Sequence, residues 1–234
     1  MAAKASVALD PVADLKRRLA RRPAQQLRSC VRKWWRDHRL GEHPAAVGKR
    51  VALALLEQKM AAAKLAGIFM LHELLADHLR AADLPAFVGL FEREQLADAI
   101  VVDGFAVRVL GTLLHNVRTR DEVVRALVQW RDAPSSWQRR AACLAFTALA
   151  RQGDHTQSII ALCSAVVWSV ERRDQTAVAV LLRELSRSEP TRVEAFVRRH
   201  ARFMSRDCLR GSIERLPAER QQNLVAHWRR ATRF

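Results

Sequence analysis

The chain has 234 residues, half of them hydrophobic, so it is long and apolar enough to fold around a substantial core rather than to remain disordered. Its 40 Lys and Arg residues outnumber 24 Asp and Glu residues, so the chain is strongly basic, with a formal net charge of +16. No stretch approaches the roughly 18 consecutive apolar residues that cross a membrane. Residues 1–11 also lack the apolar stretch of a signal peptide, so we predict a cytoplasmic protein without a membrane span.

The excess of basic residues lies at the two ends of the chain. Residues 1–50 carry 13 Lys and Arg against 4 acidic residues, and residues 183–234 carry 13 Arg against 6. Between them, residues 51–182 carry 14 of each kind. If the chain curls, the two basic ends would hold one polyanion from both sides, which favours a nucleic-acid backbone as the partner. An anionic membrane, an acidic protein and solubility alone are the alternatives that charge leaves open.

Apolar residues recur at three- and four-residue spacing almost throughout the chain, which predicts an all-α protein. Two helix starts are readable: Asp121-Glu122 opens one helix, and Pro134-Ser135-Ser136 opens another with a Ser as the cap. The residues predicted to interrupt helices are Pro23, Gly41 to Pro44, Pro85, Pro134, Gly153, Pro190 and Pro217.

The stretches between these interruptions resemble one another. They are KMAAAKLAGIFMLHELL (59–75), VDGFAVRVLGTLL (102–114), SWQRRAACLAFTALA (136–150) and DQTAVAVLLRELS (174–186). Asp103, Arg140 and Ala177 follow one another at intervals of 37 residues, and Arg210 comes 33 later. A period of about 35–40 residues predicts an α-solenoid of HEAT-like helical repeats, formed by residues 1–234 as a single domain. The second helix of each pair would line a groove; an irregular helical bundle is the alternative.

Motifs for nucleotide, metal or nucleophilic chemistry are missing from the sequence. It contains no Gly-rich phosphate loop, no HExxH, no Ser-His-Asp grouping and no CxxC, and its eight His are scattered. We therefore predict no cofactor and no metal site, and we interpret the cysteines as reduced thiols. These cysteines are Cys30, Cys143, Cys163 and Cys208.

Asp103 is the candidate catalytic residue. Its neighbours one helical turn away are apolar, namely Ala99, Ile100, Ala106 and Val107. A carboxylate on an apolar face is costly unless it has a function. The alternative is that Asp103, which precedes Gly-Phe-Ala, caps the N-terminus of a helix.

Three further residues are candidates for binding a nucleic acid. Arg140 lies one repeat after Asp103 and either pairs with an acid or holds a phosphate, whereas Arg139 points elsewhere on the helix. Trp137 lies one turn before Arg140, where it either packs under that guanidinium or belongs to the core. Residues 32–36 (RKWWR) interleave basic residues with aromatic rings, a pattern that suits contact with a nucleic-acid backbone, and one of the two Trp is expected in the core. Residues 227–234 (HWRRATRF) form either a solvated tail or a second contact with the nucleic-acid backbone.

Three segments resemble the AlkD family of DNA alkylation repair glycosylases, in the same order and at similar spacing. They are VVDGFAVRVLG (101–111), DAPSSWQRRAACLAFTALA (132–150) and AVLLRELSRSEPTRVEAFV (179–197), and the resemblance covers residues 60–230. Actinobacterial members, including those that protect producers of DNA-alkylating antibiotics, look most similar. The resemblance implies a C-shaped stack with a concave basic groove that cradles duplex DNA, and a monomer active in base excision repair.

The resemblance also implies an activity, the hydrolysis of the N-glycosidic bond of N3- or N7-alkylated purines without deep base flipping. The catalytic Asp of the family falls on Asp103, and its lesion-flanking Arg falls on Arg140. Two tryptophans of the family are missing, because Ala99 and Val180 stand at their positions. Either the cleft is widened for a bulky adduct, or catalysis is lost and the chain is a DNA-binding protein for damaged or branched DNA. A protein-interaction scaffold with an acidic partner is the third hypothesis.

Overall fold

The computed structural model describes residues 11–21 and 23–232, which form α-helices joined by short 3-10 and π-helical turns and contain no strand. The predicted all-α class is therefore confirmed. Within the basic ends of the sequence, Lys4, Arg22 and Arg233 lie outside the described residues. The chain divides into two compact units, Met1–Leu79 and Arg80–Phe234. In the part of the chain that the structure describes, no helix is long and apolar enough to cross a membrane.

The first unit contains four described α-helices around a core that includes the fully buried Trp34. Helix α3 packs on α4, and α1 contacts the other three helices. The Trp34 indole Nε1 donates a hydrogen bond of 3.1 Å to Asp14 Oδ2, so the one polar atom of this buried ring is satisfied. The helices are α1 (Pro11–Ala20), α2 (Leu27–Asp37), α3 (Ala45–Leu56) and α4 (Ala61–Phe69), and α4 continues into a π-helical turn at Met70–Leu74.

The second unit contains eleven described α-helices. Its helix boundaries follow the interruptions read from the sequence: Pro85 lies in the first turn of one helix, Pro190 begins another, and Gly153 ends a third at a φ of 72°, which favours glycine. The helices are α5 (Leu84–Glu92), α6 (Ala99–Phe105), α7 (Gly111–His115), α8 (Arg120–Gln129), α9 (Ser136–Ala145), α10 (Thr147–Gln152), α11 (Thr156–Val166), α12 (Arg172–Leu185), α13 (Pro190–His200), α14 (Arg206–Ile213) and α15 (Ala218–Ala231).

The helices of the second unit form two rows, which confirms the predicted helical-repeat solenoid. The front row consists of α6, α9, α12 and α14, each packed on the next, and the back row consists of α8, α11, α13 and α15. The rows alternate along the chain, so each repeat is a back-row helix followed by a front-row helix. Small residues bring the front-row helices close together: a Cβ added at Gly211 of α14 would lie 3.0 Å from Ala179 of α12.

Ion pairs also join each repeat to the next. In each pair an Arg meets an acid 31 to 35 residues further along the chain, which is close to one repeat. The repeat period read from the sequence therefore corresponds to direct contacts between successive repeats. These pairs are Arg120–Asp154, Arg139–Asp174, Arg151–Glu184 and Arg183–Glu214.

Candidate functional site

Asp103 lies in the second turn of α6, in the front row. The cap of this helix is Asp98, whose side chain accepts a 3.1 Å hydrogen bond from the backbone N–H of Val101. Asp103 is the fifth residue of the helix and does not cap it, so the capping alternative is excluded. Its side chain is 40% exposed, which leaves the carboxylate accessible from solvent.

The Asp103 carboxylate is held by Arg140 of the next front-row helix, α9. Arg140 Nε donates to Oδ1 and Arg140 Nη2 donates to Oδ2, both at 2.7 Å. Two parallel bonds of this kind fix both the position and the plane of the carboxylate. The ion-pair interpretation of Arg140 is therefore realised in the structure.

Arg140 is in turn held by the following repeat. Its Nη1 donates to Thr176 Oγ1 at 3.0 Å and to the Arg173 carbonyl at 3.4 Å, both on α12, and its side chain is only 13% exposed. A guanidinium has five N–H donors, and these contacts within the described residues occupy four of them. One N–H, on Nη2, is left for a further acceptor such as a phosphate oxygen.

Two exposed apolar side chains flank the carboxylate on the same face of the helix. Ile100 is 74% exposed and Val107 is 51% exposed, and they lie one turn before and one turn after Asp103. A π-helical turn, Ala106–Leu110, begins three residues after Asp103 and carries Val107, and such turns are frequent at functional sites. Sequence reasoning identified these neighbours as apolar but did not place them in the site; their three- and four-residue spacing from Asp103 was the available signal.

Arg139 lies in a different environment from Arg140. Its Nε and Nη2 donate to Asp174 Oδ2 at 2.9 Å and 2.6 Å, and Asp174 is completely buried. Its Nη1 also donates to the Pro134 carbonyl at 3.0 Å, just before α9. The position before α9 is occupied by Ser135, whose side chain makes no capping bond, contrary to the expectation from the sequence. Arg139 therefore ties two front-row helices together, and its contact with a nucleic acid stays a prediction.

Trp137 is half-buried, and it packs under Arg173 rather than under Arg140. The Arg173 guanidinium lies 4.6 Å from the centre of the indole ring. The expected partner, Arg140, is instead turned towards Asp103 by the bidentate pair. Trp137 also lines an open cleft of about 580 Å³ together with Phe91, Glu92, Pro134, Ser136 and Gln138.

The two positions at which the tryptophans of the resembled family are missing both belong to the front row. Ala99 is the exposed first residue of α6, and Val180 is half-buried on α12. Neither side chain supplies an aromatic surface. Ile100, which follows Ala99, is a large apolar side chain and is exposed at this end of α6.

The basic-aromatic cluster in the first unit is divided between core and surface, as expected. Trp34 is fully buried, whereas Trp35 is half-buried. Two of its bases have acidic partners: Arg32 lies 2.7 Å from Glu73, and Lys33 lies 3.4 Å from Asp37.

The basic segment at the C-terminus is ordered as far as it is described. Residues 227–231 belong to α15, where His227 bonds to the Arg198 carbonyl at 3.0 Å and the Trp228 indole donates to the Met204 carbonyl at 2.8 Å. Arg229 and Arg230 are exposed. The last two residues of the segment, 233 and 234, lie outside the described residues.

The cysteines are free and buried, and they take no part in the site. Burial raises the pKa of Cys208 to about 12, and it also raises the pKa of Cys143 and Cys163, so these thiols are protonated and unreactive at neutral pH. Within residues 11–21 and 23–232, no three His, Cys, Asp or Glu side chains are grouped as metal ligands.

The second unit is thus a helical-repeat protein that presents an arginine-held carboxylate on an open helix face. The sequence model of the DNA alkylation repair enzyme family matches residues 22–216. The chain therefore belongs to the DNA alkylation repair enzyme family, which gives it a role in DNA repair with DNA as its partner. A comparison with curated proteins gave no match.

Proposed function

We propose that this chain is a DNA glycosylase that hydrolyses the N-glycosidic bond of N3- or N7-alkylated purines in duplex DNA. The observation that carries the proposal is the Asp103 carboxylate, which is 40% exposed on the front row and held at 2.7 Å by Arg140. Membership of the DNA alkylation repair enzyme family supports the same substrate class. The enzyme acts as a monomer in the cytoplasm and is associated with the nucleoid when it is bound to DNA.

The chemistry requires few protein groups. An N3- or N7-alkylated purine carries a positive charge, so it leaves with the electrons of the glycosidic bond without first being protonated. The deoxyribose that remains develops oxocarbenium character, and a fixed carboxylate stabilises that charge. Asp103 supplies this carboxylate and orients the water that attacks the sugar, so one acid suffices.

Arg140 has the role of a positioning residue in this mechanism. Its bidentate bonds hold the carboxylate in one plane, which avoids reorganisation while charge develops on the sugar. The remaining N–H of Nη2 binds a phosphate oxygen beside the lesion. The arginine thereby couples the position of the DNA backbone to that of the catalytic carboxylate.

The substrate we propose is a purine with a bulky, apolar adduct. Ala99 and Val180 leave open the space that tryptophans fill in the resembled family, and Ile100 and Val107 present apolar surface on either side of Asp103. A large apolar alkyl group gains free energy by covering these side chains, whereas a methyl group reaches little of that surface.

Replacement of Ile100 by Asn should therefore lower kcat/KM for a bulky N3-adenine adduct by about tenfold, the scale of losing the burial of one aliphatic side chain. Base release from methylated DNA should change by less than about twofold, because little of Ile100 would be covered by a methyl group. The control is Val117→Asn, at an equally exposed valine outside the site. Equal losses on both substrates would contradict the adduct specificity.

The direct test of activity is release of free base from duplex DNA, with methylated DNA and DNA carrying a bulky N3-adenine adduct as parallel substrates. Release from either substrate supports the glycosylase. The absence of aromatic side chains at positions 99 and 180 favours one alternative, a non-catalytic protein that binds damaged or branched DNA. Tight DNA binding without base release from either substrate would establish that alternative.

Binding to duplex DNA should weaken steeply with salt, because arginines that neutralise phosphates release counterions. With six or more phosphate contacts, the affinity should fall by about 10³-fold between about 50 mM and 200 mM salt. Fluorescence anisotropy with a labelled duplex measures this slope. A protein-interaction scaffold with an acidic partner would instead show no affinity for DNA at moderate salt.

A further inference from the structure

A second aromatic surface lies on the second unit, outside the Asp103 site. It consists of Trp168, Val170, Arg202 and Phe203, and we call it the aromatic edge. Trp168 is 56% exposed and Val170 is 97% exposed, although both side chains are apolar. The rings of Trp168 and Phe203 are stacked, with centroids 3.6 Å apart and planes inclined by 30°. Exposed apolar side chains arranged in this way indicate a binding surface.

The two loops that carry the aromatic edge are held in place by buried hydrogen bonds. Gln175 is 4% exposed, and its Nε2 lies 2.6 Å from the Val167 carbonyl and 3.0 Å from each of the Ser169 and Phe203 carbonyls, which share its two N–H donors. Its Oε1 accepts from the backbone N–H of Ser205 at 3.0 Å. One side chain thus fixes the loop between α11 and α12 against the loop between α13 and α14. The stack is therefore preorganised before any ligand binds, which lowers the entropic cost of binding.

One arginine lies against this stack, and two more are close to it in the sequence. The Arg202 guanidinium lies 4.5 Å from the centre of the Phe203 ring, on a side chain that is itself exposed. Arg172 and Arg206 are exposed nearby in sequence, and neither forms an ion pair within the described part of the chain. Elsewhere on this unit, Arg173 of α12 covers Trp137 of α9, with its guanidinium 4.6 Å from the centre of the indole ring. A second arginine–aromatic contact is thus present on the same unit.

We propose that the aromatic edge binds unpaired nucleobases of single-stranded DNA. The exposed ring of Trp168 offers a surface on which a base stacks, and Arg202 beside the stack, with Arg172 and Arg206 exposed a few residues away in the sequence, supplies positive charge for a phosphate backbone. A protein partner would need a wider apolar patch than two exposed side chains beside an arginine. This inference rests on the proposed function only in that the chain binds DNA, and it requires no base release.

The test measures the affinity of the full chain for a short thymidine oligonucleotide and for a fully paired duplex. Trp168→Ala should weaken oligonucleotide binding by about tenfold, the scale of losing one base–aromatic stack. Trp168→Phe should restore most of that affinity, because it keeps an aromatic face. Duplex affinity and base release should stay within about twofold of the unsubstituted chain, since Trp168 is outside the Asp103 site.

A second pair of variants keeps the test valid if Trp168→Ala does not fold. Val170→Glu places a carboxylate beside the stack at a side chain that is 97% exposed, and Val117→Glu is the matched control at 76% exposure. Only Val170→Glu should weaken oligonucleotide binding. Unchanged binding in Val170→Glu and Trp168→Ala would overturn the proposal, as would self-association of the chain that disappears in Trp168→Ala. If the chain binds the duplex but no oligonucleotide, the proposal for the aromatic edge is overturned and the glycosylase proposal stands. If the chain binds neither the duplex nor the oligonucleotide, both proposals are refuted.

Discussion

Replacement of Asp103 by Asn should reduce the release of alkylated base by about 100-fold to 1000-fold, the loss that follows removal of a preorganised electrostatic group from an active site. Asn has nearly the same shape and keeps one oxygen that accepts a hydrogen bond from Arg140. The substitution therefore removes the negative charge that faces the deoxyribose while it preserves much of the contact between α6 and α9. Single-turnover base release, with enzyme in excess over the DNA, measures the effect on the chemical step.

Affinity for the alkylated duplex should not fall in Asp103→Asn, because the loss of an acid close to the phosphates does not weaken attraction to a polyanion. Asp132→Asn is the matched control: Asp132 is 69% exposed, lies outside the site and carries the same charge. It reproduces the change in net charge without changing the carboxylate at the site.

The two measurements together separate the explanations. Loss of base release with retained affinity assigns the chemistry to Asp103. Base release that persists in Asp103→Asn would refute its catalytic role even if the chain is a glycosylase. Equal loss in Asp103→Asn and Asp132→Asn would attribute the effect to net charge rather than to the site.

Replacement of Arg139 by Ala should destabilise the second unit by about 3–5 kcal/mol, because it leaves a buried carboxylate without its counter-charge. Asp174 is completely buried, and its Oδ1 has no hydrogen-bond partner within the described residues. Both bonds to its Oδ2 come from Arg139, at 2.9 Å and 2.6 Å. The measurement is the free energy of unfolding from equilibrium urea titration.

Two further variants test the cause of this loss. Arg131→Ala removes an arginine from an exposed ion pair with Asp132 and should cost less than about 1 kcal/mol. The double substitution Arg139→Met and Asp174→Leu should recover much of the stability, because an apolar pair of similar volume leaves no buried charge. If Arg139→Ala lowers the free energy of unfolding by no more than Arg131→Ala does, the buried Arg139–Asp174 pair does not stabilise the unit as proposed.

The repeat architecture was predictable because its signal is periodic. Interruptions such as Pro85, Pro190 and Gly153 fall at helix ends, where each has a backbone reason to occur. The interval of 37 residues between Asp103 and Arg140 placed them at equivalent points of successive repeats, and these points are in contact. A spacing that matches the repeat thus predicted neighbours in space without a structure.

The partners of individual side chains were less predictable. Trp137 packs under Arg173 rather than Arg140, and nothing in the local pattern distinguishes these two arginines. Ile100 and Val107 fit the apolar periodicity of a core helix, yet both are exposed, since the face of α6 that carries Asp103 is not covered by a neighbouring helix. The aromatic edge depends on Gln175, whose polar side chain gives no sign in the sequence that it joins two loops.

The amino-acid order established the helical class, the repeat length, the excess of positive charge and the candidate carboxylate, because each depends on residue type or on spacing along one chain. Only the packing of successive repeats showed that Arg140 pairs with Asp103, where the sequence also allowed a phosphate, and that Arg139 neutralises the buried Asp174. Arg139 and Arg140 are adjacent and chemically identical, but consecutive residues of a helix point about 100° apart. One therefore faces a buried acid on α12 and the other an open carboxylate on α6, and this difference in direction separates a stabilising ion pair from a candidate active site.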